Sequence, residues 1–278
     1  MSVSRATKVA LIGAGVMGEA ILAGLLNAGY SSSTIVATDR RPERQDELAQ
    51  KYGITMRGNV EAVTDAGVVI IVVKPYDVGT VLGEISEVLD PNCLVVSLAA
   101  GVTTSHIESL VHDGQPVIRV MPNTPAQVAQ GMSVVSAGSN ATDEQVELVT
   151  SILASTGRAV AVPEKHQDAA TAVSGSGPAY LFLVAESMVE AAVQMGLTRD
   201  VATELVVQTL YGGASLLKET GEHPTILRER VTSPGGTTAA ALRTLEDRGL
   251  RSSFMAAMEA ARDRSVELGA AEDSKPKG

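Results

Sequence analysis

The stretch "VALIGAGVMGEAILAGLLNAG", residues 9–29, constrains this chain more than any other. A short apolar run enters a turn with Gly13, Gly15 and Gly18 in G-x-G-x-x-G spacing, and an amphipathic segment leaves it. Such spacing alone is a weak signal in a glycine-rich chain. Placed between a strand and a helix, it is the arrangement a dinucleotide requires. Gly13 permits the tight turn, Gly15 lets the backbone approach a pyrophosphate, and Gly18 lets the helix lie close to the strand. The helix N-terminus, at Val16 and Met17, then offers free N–H groups to the phosphates.

Further β-branched runs follow at 34–39, 67–74, 93–100, 116–121, 132–138 and 158–162, separated by stretches of helical spacing. Several are apolar at consecutive positions, as expected of strands covered by helices on both faces of a parallel sheet. The spacing predicts a doubly wound, Rossmann-like α/β domain over residues 1–163. Beyond Pro163 the pattern becomes helix after helix, rich in Ala, Leu and Met, so residues 164–278 are predicted to form an all-helical C-terminal domain. The polar tail 271–278 is expected to fray.

Composition narrows the function. The 278 residues carry 32 acidic and 22 basic side chains, a net charge of −10, which argues against non-specific nucleic-acid binding. No apolar run approaches the roughly 18 residues that a membrane span needs. The opening "MSVSRATKVALIG" reads as a first strand and not a signal peptide. Cys93 is the single cysteine, which excludes an intrachain disulfide and fits a reducing cytoplasm. It begins a buried strand and reads as core. His106, His112 and His166 lack metal-ligand spacing, and His223, before Pro224, reads as a cap or packing residue. Met188, Met195, Met255 and Met258 read as core or interface.

The cofactor signals are mixed at one point. In "ATDRRPER", Asp39 suits an acceptor for a ribose 2′-OH, the NAD signature, whereas Arg40 and Arg41 suit a 2′-phosphate. The stretch leans toward NADPH and leaves NADH open. Lys74, followed by Pro75, stands at the carboxyl end of a strand, where open α/β sheets bind ligands. In "RVMPNTPAQ" two prolines fix a loop that presents Asn123, a donor and acceptor for a nicotinamide amide.

Two breaks interrupt the helical half: "VSGSGPAY" at 173–180 and "SPGGTT" at 233–238. In both, small residues and hydroxyls precede a helix start, which exposes several N–H donors. Two such elements after a nucleotide fold point to a pocket for a small anion. With "IGAGVMGEAI", "VVKP", "SLAAGV", "RVMPNTPA" and "TGEHP" in this order, the chain from Lys8 to Leu268 resembles the pyrroline-5-carboxylate reductases.

The resemblance implies hydride transfer from NADPH or NADH to 1-pyrroline-5-carboxylate, giving proline. It also implies a C-terminal domain that interleaves with a second subunit in a homodimer, with a larger homo-oligomer left open. The substrate would sit between the nicotinamide and the helical domain. Ser233, Gly235, Gly236 and Thr237 would cradle its carboxylate beside Val231, with the Thr238 hydroxyl near the ring nitrogen. Ser174, Ser176 and Pro178 would line the cofactor side, and Ala99, in "SLAAGV", would meet the cofactor. Neither break carries an acid–base side chain, and a cyclic imine that arrives as its iminium needs none.

Two rival readings stand beside this one. Other Rossmann-type imine or β-hydroxyacid dehydrogenases place a lysine where this chain has "TAVSGSGPAY". A non-catalytic nucleotide-binding regulator would have no use for an intact "SPGGTT" loop.

Overall fold

A computed structural model describes residues 7–273. The basic opening residues and the tail beyond Asp273 lie outside it, while residues 271–273 continue the last helix. The chain divides into two compact units. One holds the residues up to Ser176 together with those from Ala260 onward; the other is Gly177–Glu259.

The first unit is built on an eight-stranded sheet. In chain order it contains β1 (Val9–Ile12), α1 (Val16–Asn27), β2 (Ile35–Thr38), α2 (Pro42–Tyr52), β3 (Thr55–Met56) and α3 (Asn59–Val63). There follow β4 (Val68–Ile71), α4 (Val78–Ile85), β5 (Leu94–Ser97), α5 (Thr104–Glu108), β6 (Val117–Met121) and β7 (Gly131–Ala137). The last elements are α6 (Asp143–Ala154), β8 (Gly157–Ala161) and the short α7 (Gln167–Ala170). The sheet order is β3-β2-β1-β4-β5-β6-β7-β8. Alternate residues of β1 enter different cores: Val9 and Leu11 pack with α1, α2 and α6, while Ala10 and Ile12 pack with α3, α4 and α5. This explains the unbroken apolar runs, since neither face of these strands meets water.

One strand pair departs from the expected parallel sheet: β6 and β7 are antiparallel. The cause is the connection. Only a single 3₁₀ segment, Thr124–Val128, joins them, and parallel strands need a crossover of a dozen residues or more. The two-residue β3 is too short to leave an apolar run in the sequence.

Residues 164–176 belong to the first unit because they pack on its sheet. Arg119 of β6, only 3% exposed, pairs with Glu164 at 3.2 Å and faces Asp168 at 3.9 Å. Glu164 also accepts from the Thr104 backbone N–H at 2.8 Å, and Asp168 accepts from Ser265 at 2.7 Å. The end of the chain is thereby fastened to the sheet domain through a charged group.

The second unit consists of α8 (Gly177–Gln194), α9 (Arg199–Thr220), α10 (Pro224–Arg230), α11 (Thr237–Asp247) and the start of α12 (Leu250–Asp273). Helices α8 and α9 pack on each other through Ala192, Ala202 and Val206. His223 caps α10, its Nδ1 accepting from the Thr225 N–H at 3.3 Å. Large apolar side chains stay exposed within the chain, among them Phe182, Leu183, Leu205, Tyr211, Met195 and Met255. Exposed apolar side chains of this size and number are what an association surface presents. Among the described residues no helix is long and apolar enough to cross a membrane.

Candidate active site

The carboxyl ends of β1 and β4 flank the point where the strand order reverses, and a groove of about 1180 Å³ opens there. Ligands of open α/β sheets bind at such switch points. The three glycines of the loop differ in what they do. A Cβ on Gly13 would lie 2.9 Å from the Val72 carbonyl oxygen, and one on Gly18 would lie 2.2 Å from the Gly13 carbonyl oxygen. Gly15 meets nothing within 4 Å, so its backbone faces open space in the groove. Helix α1 starts at Val16 with no side-chain cap, leaving its first N–H groups to a ligand. A dinucleotide fits this cradle: room over Gly15, free donors behind it and no side chain in the way.

Residues from one helix over hold the loop in place. Arg44 of α2 donates through Nε to the Ala14 carbonyl at 3.1 Å and pairs with Glu19 in the first turn of α1. Glu19 also accepts from Lys51 at 2.8 Å and from the Tyr52 hydroxyl at 2.9 Å. The Lys51 ammonium, opposed by burial and reinforced by Arg44 and Tyr52, holds the Glu19 carboxyl down at about 2.

At the adenosine-ribose end, Asp39 follows β2 and both flanking arginines are already engaged. Asp39 accepts from the Arg41 backbone N–H at 3.0 Å and from its guanidinium at 3.0 and 3.2 Å. Burial alone would raise the Asp39 carboxyl; the Arg41 hydrogen bonds outweigh it and hold it below its ordinary value. Arg40 reaches across to Asp77 at 2.9 Å. Lys74, Pro75 and Ala99 line the rest of the groove with Val16 and Met17.

Two side chains expected to meet the cofactor are hydrogen-bonded within the first unit. Asn123 donates through Nδ2 to the Ser174 carbonyl at 3.0 Å and accepts from the Met132 N–H at 2.8 Å. Its polar atoms tie the start of β7 to residue 174 and line no part of the groove. The Ser174 hydroxyl turns back to the Ala170 carbonyl at 3.0 Å.

In "VSGSGPAY" a helix, α8, does start at Gly177, but the residues before it are helical too. Thr171–Gly175 form a turn of π-helix continuing from α7, and the Ser176 N–H is spent on the Thr171 carbonyl at 2.8 Å. The extra residue of that turn keeps the backbone helical up to Ser176, where α8 takes over.

The "SPGGTT" segment, on the second unit, forms a tight turn. The Gly236 N–H donates to the Ser233 carbonyl at 3.0 Å, with Pro234 and Gly235 between them and Gly235 at φ 68°. Proline then glycine with positive φ is the chemistry of a type II turn. Helix α11 begins at Thr237 without a side-chain cap, so its first-turn N–H groups have no intrahelical partner. Val231 is exposed just before this turn, and Thr238 is half-buried in the first turn of α11.

A family model described as pyrroline-5-carboxylate reductase dimerisation matches residues 164–268, and one described as NADP oxidoreductase, coenzyme F420-dependent, matches residues 8–101. The chain is 46% identical to a pyrroline-5-carboxylate reductase of Corynebacterium melassecola, over 95% of this chain and 99% of that one. The chain belongs to the pyrroline-5-carboxylate reductase family.

Solved structures of the family carry the likeness through the fold. A pyrroline-5-carboxylate reductase from Coxiella burnetii superposes with a TM-score of 0.90 at 38% identity, covering 95% of this chain and 98% of that one. A pyrroline carboxylate reductase from Plasmodium falciparum, with NADP bound, gives 0.86 at 30% identity, covering 96% and 100%. In the present reductase, sequence reasoning missed Arg57 and Asn59, which line the groove after β3, and Asp77, which engages Arg40. It also missed the Glu19–Arg44 pair. A basic residue directly after a strand neighbouring β2 was the one available signal for Arg57.

Proposed function

We propose that the protein reduces 1-pyrroline-5-carboxylate to L-proline with NADPH, and more weakly with NADH, as the last step of proline biosynthesis. Bound in the groove, the nicotinamide supplies the hydride. The uncapped start of α11 behind the Ser233–Gly236 turn is the observation that carries the substrate assignment. Backbone donors there, with the Ser233 and Thr237 hydroxyls, take a carboxylate without a cationic side chain, which answers how an acidic protein holds an anion. Val231 supplies an apolar wall beside that turn, and Ser176 is a further hydroxyl assigned to the substrate. The substrate arrives as the iminium, so the C=N π pair moves onto nitrogen as carbon gains hydride. Thr238 hydrogen-bonds the amine that forms. No acid–base side chain is required, and the protein's work is orientation.

The apolar surface of α8 and α9 supports a homodimer built through the helical unit, and the lone buried cysteine suits a cytoplasmic enzyme. The test is loss of nicotinamide absorbance on adding 1-pyrroline-5-carboxylate, run in parallel with NADPH and NADH. Oxidation with formation of proline is expected. Folded protein that binds cofactor and oxidises neither would overturn the assignment in favour of a regulator.

A further inference from the structure

The end of β2 presents a contradiction that the geometry resolves. Asp39 occupies the place from which a carboxylate takes a ribose 2′-OH, the mark of an NAD site. A bare carboxylate there also repels a 2′-phosphate. Yet both Asp39 oxygens are turned to Arg41, which fills them with three hydrogen bonds, and the Asp39 side chain is only 8% exposed. The Arg41 side chain is 63% exposed, so it lies over the carboxylate from the solvent side. Arg40 is held by Asp77 on the far rim of the same groove, and Arg57 lies nearby.

We propose that Arg41 is a specificity-determining positioning residue: it selects NADPH by occupying and neutralising Asp39, and does not itself grip the 2′-phosphate. With Arg41 in place the acceptor for NADH is covered and the charge that would expel NADPH is cancelled. Arg40 and Arg57 are then the cations available to the phosphate. Removing Arg41 uncovers an NAD-type site already present beneath it. This inference rests on the proposed use of a nicotinamide dinucleotide, though not on which imine is reduced.

The experiment is calorimetric titration of NADP⁺ and NAD⁺ into the full-length wild type, Arg41→Ala, and the Asp39→Asn/Arg41→Ala double variant. In Arg41→Ala the ratio of NADP⁺ to NAD⁺ affinity falls by about 10-fold or more, the scale of an unpaired charge facing a like charge at close range. In the double variant, where no carboxylate remains, NADP⁺ affinity returns to within a few-fold of wild type. If the double variant binds NADP⁺ as poorly as Arg41→Ala, Arg41 grips the phosphate directly and the proposal is overturned. An unchanged ratio in Arg41→Ala overturns it as well. Turnover plays no part in these titrations, so a protein that binds cofactor but fails to reduce 1-pyrroline-5-carboxylate would sink the assigned reaction while leaving Arg41 to be judged.

Discussion

Replacing Glu19 by glutamine removes the negative charge that fastens α2 to the first turn of α1. Three partners converge on this carboxylate, and they hold it at about 2 against an ordinary 4.5. At about 1.4 kcal/mol per pH unit, that gap sets a ceiling of roughly 3.4 kcal/mol. The side chain is 21% exposed, and solvent screening brings the expected loss to about 1–2 kcal/mol. The sign follows from the depressed value. The stabilisation is complete above pH 4.5 and drains away as the pH falls toward 2. Chemical denaturation of wild type and Glu19→Gln at pH 7 and pH 3.5, at matched protein concentration, reads both quantities. The stability gap should be about 1–2 kcal/mol at pH 7 and smaller by roughly a third or more at pH 3.5. A gap of the same size at both pH values, or none at pH 7, would refute the account of Glu19 as an ionised tie.

Thr238→Ala should lower kcat by about 10-fold to 1000-fold with folding intact, since the lost hydroxyl serves the amine formed in the reaction; an unchanged rate excludes it from the site. Gly236→Ala places a Cβ 2.4 Å from the Ser233 hydroxyl and should raise KM for the substrate more than KM for the cofactor, as steady-state kinetics would show. Cys93 is buried, and burial, aided by Asp90, pushes its thiol up to about 12, so the native protein should react with a thiol reagent far more slowly than the denatured chain.

The dinucleotide half was legible because its signals are local. β1, the glycine turn and α1 are contiguous, and strands buried on both faces leave unbroken apolar runs. The Ser233–Gly236 turn was equally readable, since proline and glycine write backbone geometry directly. What escaped depends on partners distant in the chain. Asn123 looked free, yet its donor is claimed by a carbonyl 51 residues on, and no local pattern shows that claim. Glu19 and Arg44 stand 25 residues apart and meet only because α1 and α2 lie side by side on one face of the sheet. The π-turn at Thr171–Gly175 was misread for another reason: its small residues suit a cap and a widened helix equally well.

The charged fastening at Arg119 bears on how this protein could be taken apart or recombined. Its counter-ions, Glu164 and Asp168, lie past the change in composition near Pro163, and Asp168 is in turn bonded to Ser265 near the chain's end. A fragment ending at 163 would keep the whole sheet and the cofactor groove but strand a buried guanidinium, a loss on the order of 3–5 kcal/mol. The nucleotide-binding half is therefore not a cassette that can be lifted out at its apparent seam. A chimaera between relatives would have to inherit Arg119, Glu164, Asp168 and Ser265 together, so exchange of domains is constrained by four side chains that do not line the cofactor groove.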